Sequence, residues 1–311
     1  MVILCRHVDT HSALCKHISV DADLPELVAS WRVSLVAQNK APGTVGLYTH
    51  IADKFSAWAE GREPTLKMAQ EWIAHLLQSG MSPTTARMRV VALRAWGRWL
   101  TAEGEIPENI FAALIPPKSD TKVVPALSED EVSALLRTCR GGGLLNVRDE
   151  AIMRFMFETG VRSHELLALT VEDLDIAGMT AVVRRGKGGK GRIVPFHPQT
   201  AEKIDRYIRV RKRFARDGVT RLWVSRHGKA LSYDGLRHLL RRRAGEAGVK
   251  DFHPHRARHT AATRWLRSGG SEGGLMAVAG WSSRSMLDRY TAHSASERAL
   301  AEARKLGIGL E

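Results

Sequence analysis

The stretch FHPHRARHTAATRW, residues 252–265, carries three histidines and three arginines in fourteen residues. Pro254 and the spacing of Ala257, Ala261, Ala262 and Trp265 predict a helix starting at Pro254 or His255. On that helix His255, Arg258 and His259 stand at i, i+3 and i+4 and share one face. Such a face calls for an anion opposite it. More polar residues stand out in the same half of the chain. Arg162 follows Gly160 in TGVRSHELLAL, with Glu165 three residues on and able to hold it. Lys187 lies in the glycine-rich run GKGGKG, and Tyr290 in MLDRYTAH, nine residues after Trp281. Singly, each has an ordinary use: a surface ion pair, a flexible turn, packing. GKGGKG is either such a turn or a weak phosphate cradle, since the P-loop spacing is absent.

Together they suit metal-free phosphodiester chemistry. Two arginine forks can hold the non-bridging oxygens and stabilise a pentavalent transition state. A tyrosine can attack in line and end as a phosphotyrosine. Its ordinary pKa is about 10, so nearby cations and a histidine must favour loss of its proton. A lysine at a hairpin tip can protonate the departing 5′ oxygen. The anion is then the scissile phosphate of DNA. No acidic cluster suited to Mg²⁺ accompanies these groups, so no metal and no cofactor are expected.

The elements that must position these residues follow from start and stop signals. Residues 1–22 form a short lead-in, whose CRHVDTHSALCKH matches no zinc-finger spacing. Residues 23–114 read as a bundle of four helices. In the second, Thr44 is the expected cap, and Leu47, Ile51, Phe55 and Trp58 the expected stripe. The fourth carries Arg87, Arg89, Arg94 and Arg98: either a solvated basic face or a helix laid on DNA. The Pro-rich IPPKSDTKVVP, 115–125, is a linker, and two units so joined can clamp a long ligand. The second domain, 126–293, is mixed. MTAVVRRGKGGKGRIVPF reads as strand, turn, strand, and further helices are expected at 199–216, 233–247, 255–267, 272–279 and 283–290. Gly273 and Gly274 suggest local mobility before Trp281. In the 294–311 tail, Ser294 or Ser296 can cap a helix striped by Ala299, Leu300, Ala303 and Leu306. The class is mainly α with a small β-hairpin or sheet.

Composition agrees with a nucleic-acid partner. The 311 residues allow about two domains. Net charge is +14 and pI about 10.1, with 34 Arg against 13 Lys; Arg forks onto phosphate. Cys5, Cys15 and Cys139 build no disulfide framework and fit a reducing compartment. No run approaches the ~18 apolar residues of a membrane span. MVILC is too short for a signal-peptide core, so a cytoplasmic protein of a bacterial or phage-infected cell is expected.

TGVRSHELLAL, RRGKGGKGRIVPF, HPHRARHTAAT and VAGWSSRSMLDRYTAH resemble, in order and spacing, the motifs of the tyrosine recombinases, the phage-integrase and Xer-like family. The match covers about 126–293, and 23–114 resembles the family's core-DNA-binding domain. The resemblance implies Arg162 as the first catalytic arginine with Glu165 its buttress. It implies Lys187 as general acid, with Lys190 the nearby competitor, and His255 and Arg258 as the H-x-x-R pair supported by His259. Tyr290 is then the nucleophile. Trp281 falls where most members have His and some have Trp; it offers an indole N–H and packing but no proton transfer. Ser232, Tyr233, Arg237 and Arg241 fall on a helix resembling the family's major-groove helix, which also carries Arg242 and Arg243. Arg87 and Arg89 are the expected phosphate contacts of the other domain. Further implied are strand transfer without ATP, short core sites on duplex DNA, and a homotetramer working through a Holliday junction. Free protein is expected as a monomer or weak oligomer, with an accessory protein setting direction and the tail helix docking on a neighbouring protomer or on its own domain. The alternatives are a type IB topoisomerase-like enzyme and a catalytically inactive DNA-binding paralogue. The motifs separate neither integrase from resolvase nor transposon recombinase.

Overall fold

The computed structural model describes residues 24–62, 64–118, 125–184, 191–284, 286–287, 303–304 and 307. Lys187, Lys190, Tyr290, the 1–22 lead-in and most of the 294–311 tail lie outside them. The chain divides into two compact units, Met1–Thr121 and Lys122–Glu311.

The first unit holds α1 (Leu24–Ala37), α2 (Pro42–Ala59), α3 (Leu66–Gln78) and α4 (Pro83–Ala102). Thr65 and Ser82 cap α3 and α4 by accepting from the amides of Met68 and Thr85. The expected cap of α2 is misplaced. Pro42 starts that helix, so Thr44 already lies in its first turn. Leu47 is 39% exposed, while Val45, Ile51 and Phe55 face inward. The core is aromatic, with Phe55 edge-on to Phe111 and Trp72 at 5.4 and 5.5 Å between ring centres. Gly97 permits a close approach: a Cβ there would run into Asn109 Oδ1 and lie 2.8 Å from the Phe111 ring. Of the four α4 arginines, Arg94 is spent inside the unit, donating to the Leu114 carbonyl. Arg87 and Arg98 are exposed and Arg89 half-buried.

The second unit is built around α6 (Leu144–Thr159), most of whose residues are buried, the charged Arg148 and Asp149 among them. Around it pack α5 (Glu129–Arg137), α8 (Pro198–Arg211) and α10 (Pro254–Arg267). The short α7 (Ser163–Ala168) follows α6, while α9 (Tyr233–Ala247) and α11 (Glu272–Ala279) flank α10 in sequence. The small sheet is antiparallel in the order β1 (Leu174–Asp175), β2 (Thr180–Val183), β3 (Arg192–Pro195). β2 and β3 pair from Thr180↔Pro195 to Val183↔Arg192, as the hairpin reading requires, and β1 adds a third strand. α8 stops at Arg211, short of the expected 216. The Arg211 guanidinium donates to the carbonyls of Val219, Arg221 and Leu222, folding the chain back there. Gly274 has a packing reason to be small, since a Cβ would lie 2.9 Å from the Trp265 ring.

Candidate active site

The site begins where α6 ends. Gly160 takes the left-handed conformation (φ 57°) that terminates the helix, and Arg162 becomes the N-cap of α7. Glu165, 2% exposed, accepts from the Arg162 amide (2.8 Å) and from its Nη1 (3.1 Å). Burial pushes the Glu165 pKa up. Hydrogen bonds from Arg192 and the Arg162 amide outweigh that and bring it to about 2. The carboxylate is thus a fixed negative charge behind Arg162.

α10 contributes the second arginine. His253 caps it, its Nδ1 accepting from the Arg256 amide at 3.3 Å. Burial and the nearby Arg256 lower the His253 pKa, which fits an imidazole used as acceptor. Arg258 is buried at 6% exposure. Its Nη1 donates to the Gly160 carbonyl (2.5 Å) and its Nη2 to the Ala279 carbonyl (2.7 Å). Its guanidinium lies over the Trp281 ring, 5.3 Å from the centre. Trp281 is buried with Ala262, Leu266, Leu275 and Leu287. Arg162 Nη2 donates to the next carbonyl, Gly280, at 3.2 Å.

A cleft of about 920 Å³ gathers these groups. Arg162, His255 and Arg258 line it together with Tyr233, Arg237 and Arg241 from the start of α9. Ser232 caps α9 by accepting from the Gly235 amide (3.1 Å). Four arginines around one cavity, two of them fixed from behind by main-chain carbonyls, suit a phosphate ester. Among the described residues no group of three or more His, Cys, Asp or Glu could hold a metal ion.

Several expected residues fall elsewhere. His259 shares the helix with His255 but not the cleft, its Nδ1 lying 3.1 Å from Thr263 Oγ1. The arginine run of α9 splits. Arg243 is 2% exposed and binds the fully buried Asp149 at 2.8 Å, and Arg242 reaches the same carboxylate at 2.6 Å. A buried carboxylate needs such partners: Arg243 belongs to the interior network with Arg148, and Arg242 reaches in to it from the surface.

Two cleft residues, and a third that braces Glu165, were not anticipated. His164 and His253 line the cavity. Arg192, at the start of β3, grips Glu165 with both Nη atoms (2.9 and 2.8 Å) and donates from Nε to the Val278 carbonyl (2.6 Å). Its signal in the sequence was parity: Arg192, Val194 and Phe196 alternate with the exposed Ile193, and a cation on the inward face needs an acid.

Residues 125–297 match the phage integrase family. The chain is 30% identical over 244 residues to the tyrosine recombinase XerC of Staphylococcus carnosus (strain TM300), covering 76% of this chain and 82% of that one. It is 28% identical to the XerC of Chromobacterium violaceum over 86% of this chain and 90% of the relative. Its fold is similar to that of the Tn1549 transposon integrase solved with transposon right end DNA, with a TM-score of 0.76 at 21% identity over 92% of this chain and all of that one. Among the described residues no helix is long and apolar enough to cross a membrane. The matched motifs thus bring their arginines to one cavity in a mainly helical fold, and the chain belongs to the phage integrase family of tyrosine recombinases, enzymes of site-specific recombination.

Proposed function

We propose that this recombinase cuts and rejoins duplex DNA through a 3′-phosphotyrosine on Tyr290. The observation that carries the reading is the orientation of Arg162 and Arg258. Main-chain carbonyls anchor both guanidinium groups, and both line one cleft with His255. In the reaction they hold the non-bridging oxygens of the scissile phosphate, where charge grows in the transition state. The Tyr290 hydroxyl attacks phosphorus in line, its proton drawn off with the help of His255 and the surrounding cations. The bond to the 5′ oxygen breaks, and Lys187 supplies the proton that oxygen needs, with Lys190 its competitor. Trp281 packs beneath Arg258 and offers its indole N–H; His259 supports the helix. Attack by the 5′ hydroxyl of a partner duplex reverses the step. The bond energy stays in the phosphotyrosine, so neither ATP nor a metal enters this scheme.

Each unit supplies DNA contacts in this reading. Arg87 and Arg89 meet phosphates from the helical unit. Ser232, Tyr233, Arg237 and Arg241 approach the duplex from α9 beside the cleft. That solved proteins of this fold carry transposon DNA or a core site supports a duplex DNA partner. Four copies then act on two sites through a Holliday junction, with an accessory protein setting direction.

The test is covalent trapping. A duplex carrying the chain's own site, selected from random sequence and nicked beside the cleavage position, should yield a protein–DNA adduct. Tyr290→Phe should bind that duplex normally and form none. Adduct formation by the Phe variant would remove Tyr290 from its role, and binding without adduct by the unaltered chain would favour an inactive paralogue.

A further inference from the structure

The last carbonyls of a helix lack intrahelical donors. At the end of α11, three in succession each take an arginine: Val278 from Arg192, Ala279 from Arg258 and Gly280 from Arg162. Two of those arginines are the proposed phosphate ligands. The third, Arg192, stands at the foot of the strand that follows the Lys187 segment, and its side chain is only 10% exposed. It also shares Glu165 with Arg162, so one carboxylate joins the two guanidinium groups. Gly280 completes the fit. Its φ is +63°, and a Cβ there would lie 3.0 Å from Cζ and Nη1 of Arg192.

We propose that Arg192 is a positioning residue for DNA cleavage: it fixes the end of α11, and so Trp281 and the chain leading to Tyr290, against the two phosphate-holding arginines. The proposal rests on the recombinase chemistry above. Arg192 touches no reacting atom. It holds three acceptor atoms of two groups at once, in the geometry of a planar fork with several donors. Lysine keeps the charge but brings a single ammonium, unable to span both Glu165 oxygens and the Val278 carbonyl. Alanine at 280 leaves every charge in place and pushes on the guanidinium from the other side.

Arg192→Lys and Gly280→Ala, made in the full chain, separate positioning from folding and from acid catalysis. Single-turnover cleavage of the nicked duplex at saturating protein should slow about 100-fold in each, the scale of a small misplacement of reacting groups. DNA affinity should stay within about threefold, so the loss appears in the rate of the bound complex. Replacing the leaving 5′ oxygen with sulfur should rescue Lys187→Ala and neither of the two variants. Rescue of Arg192→Lys by sulfur would overturn the proposal, because Arg192 would then act through the hairpin lysine. Affinity falling in step with rate would reduce Arg192 to a structural residue and also overturn it, as would unchanged cleavage by Gly280→Ala. Failure of the unaltered chain to form adduct counts against the recombinase chemistry itself. Normal cleavage by that chain and by both variants defeats only the positioning role.

Discussion

Glu165 is the residue on which Arg162 and Arg192 converge. Its pKa of about 2 lies below the ordinary glutamate value, so the ionised form is favoured by the fold. The sign follows: its contribution is fully present above the unfolded pKa near 4.5 and is lost as pH falls towards 2. That contribution is about 3 kcal/mol on the scale of one pKa unit per 1.4 kcal/mol. Glu165→Gln should therefore unfold at lower urea than the unaltered chain, by a margin constant above pH 5.5 or so and shrinking below about 4.5. A margin independent of pH from 6 to about 3 would show that the charge of Glu165 contributes nothing. Its pairing with Arg162 was readable, three residues away on a helix start. Its pairing with Arg192, 27 residues on, was not, because strand and helix meet only through tertiary packing. Tyr290, Lys187 and the rest were read from motifs, and nothing in composition or periodicity alone would have grouped them.

α9 shows what a helix face means once its neighbours are known. Arg237 and Arg241 line the cleft, while Arg242 and Arg243 turn to Asp149. Periodicity shows that such residues lie on different faces; it does not say which face meets water and which a buried acid. The two sets should respond differently to loss of charge. Arg241→Gln should reduce the slope of log affinity against log salt by about 1 and leave folding unchanged. Arg243→Gln should cost about 1–3 kcal/mol in urea unfolding, since the buried Asp149 loses one of its arginine partners and keeps Arg148 and Arg242. Equal effects of the two changes on the salt slope would contradict the division. Element boundaries were the weaker part of the sequence reading. Thr44 looked like a cap because its hydroxyl suits that role, although Pro42, two residues earlier, is itself a helix-start signal, and the two-residue β1 is too short to leave a periodic trace.

At the scale of the molecule, the basic charge and the two-unit organisation were readable from composition and from the Pro-rich 115–125 stretch. The 294–311 helix expected from Ala299, Leu300, Ala303 and Leu306 is short and needs a surface for its stripe. The second unit has a groove of about 710 Å³ with Val132, Leu136, Phe157, Phe196 and Trp265 along it. Docking of that tail on its own domain would not tie assembly to cleavage, whereas docking on a neighbouring copy would. Deleting residues 295–311 should then leave binding to a single site nearly intact, weaken cooperative binding to paired sites and abolish recombination. Undiminished cooperativity on paired sites, measured by gel shift, would rule out docking in trans. A last consequence concerns tolerance to mutation. Arg162 and Arg258 take their aim from the carbonyls of Gly160, Ala279 and Gly280. A carbonyl is common to every amino acid, so no change of side chain at Ala279 deletes the acceptor. The exacting demand falls on the two left-handed glycines, where any side chain would strain the backbone. The aim of the phosphate grip is therefore written largely in the path of the main chain, and among the surrounding side chains Glu165 and Arg192 are the ones that cannot drift.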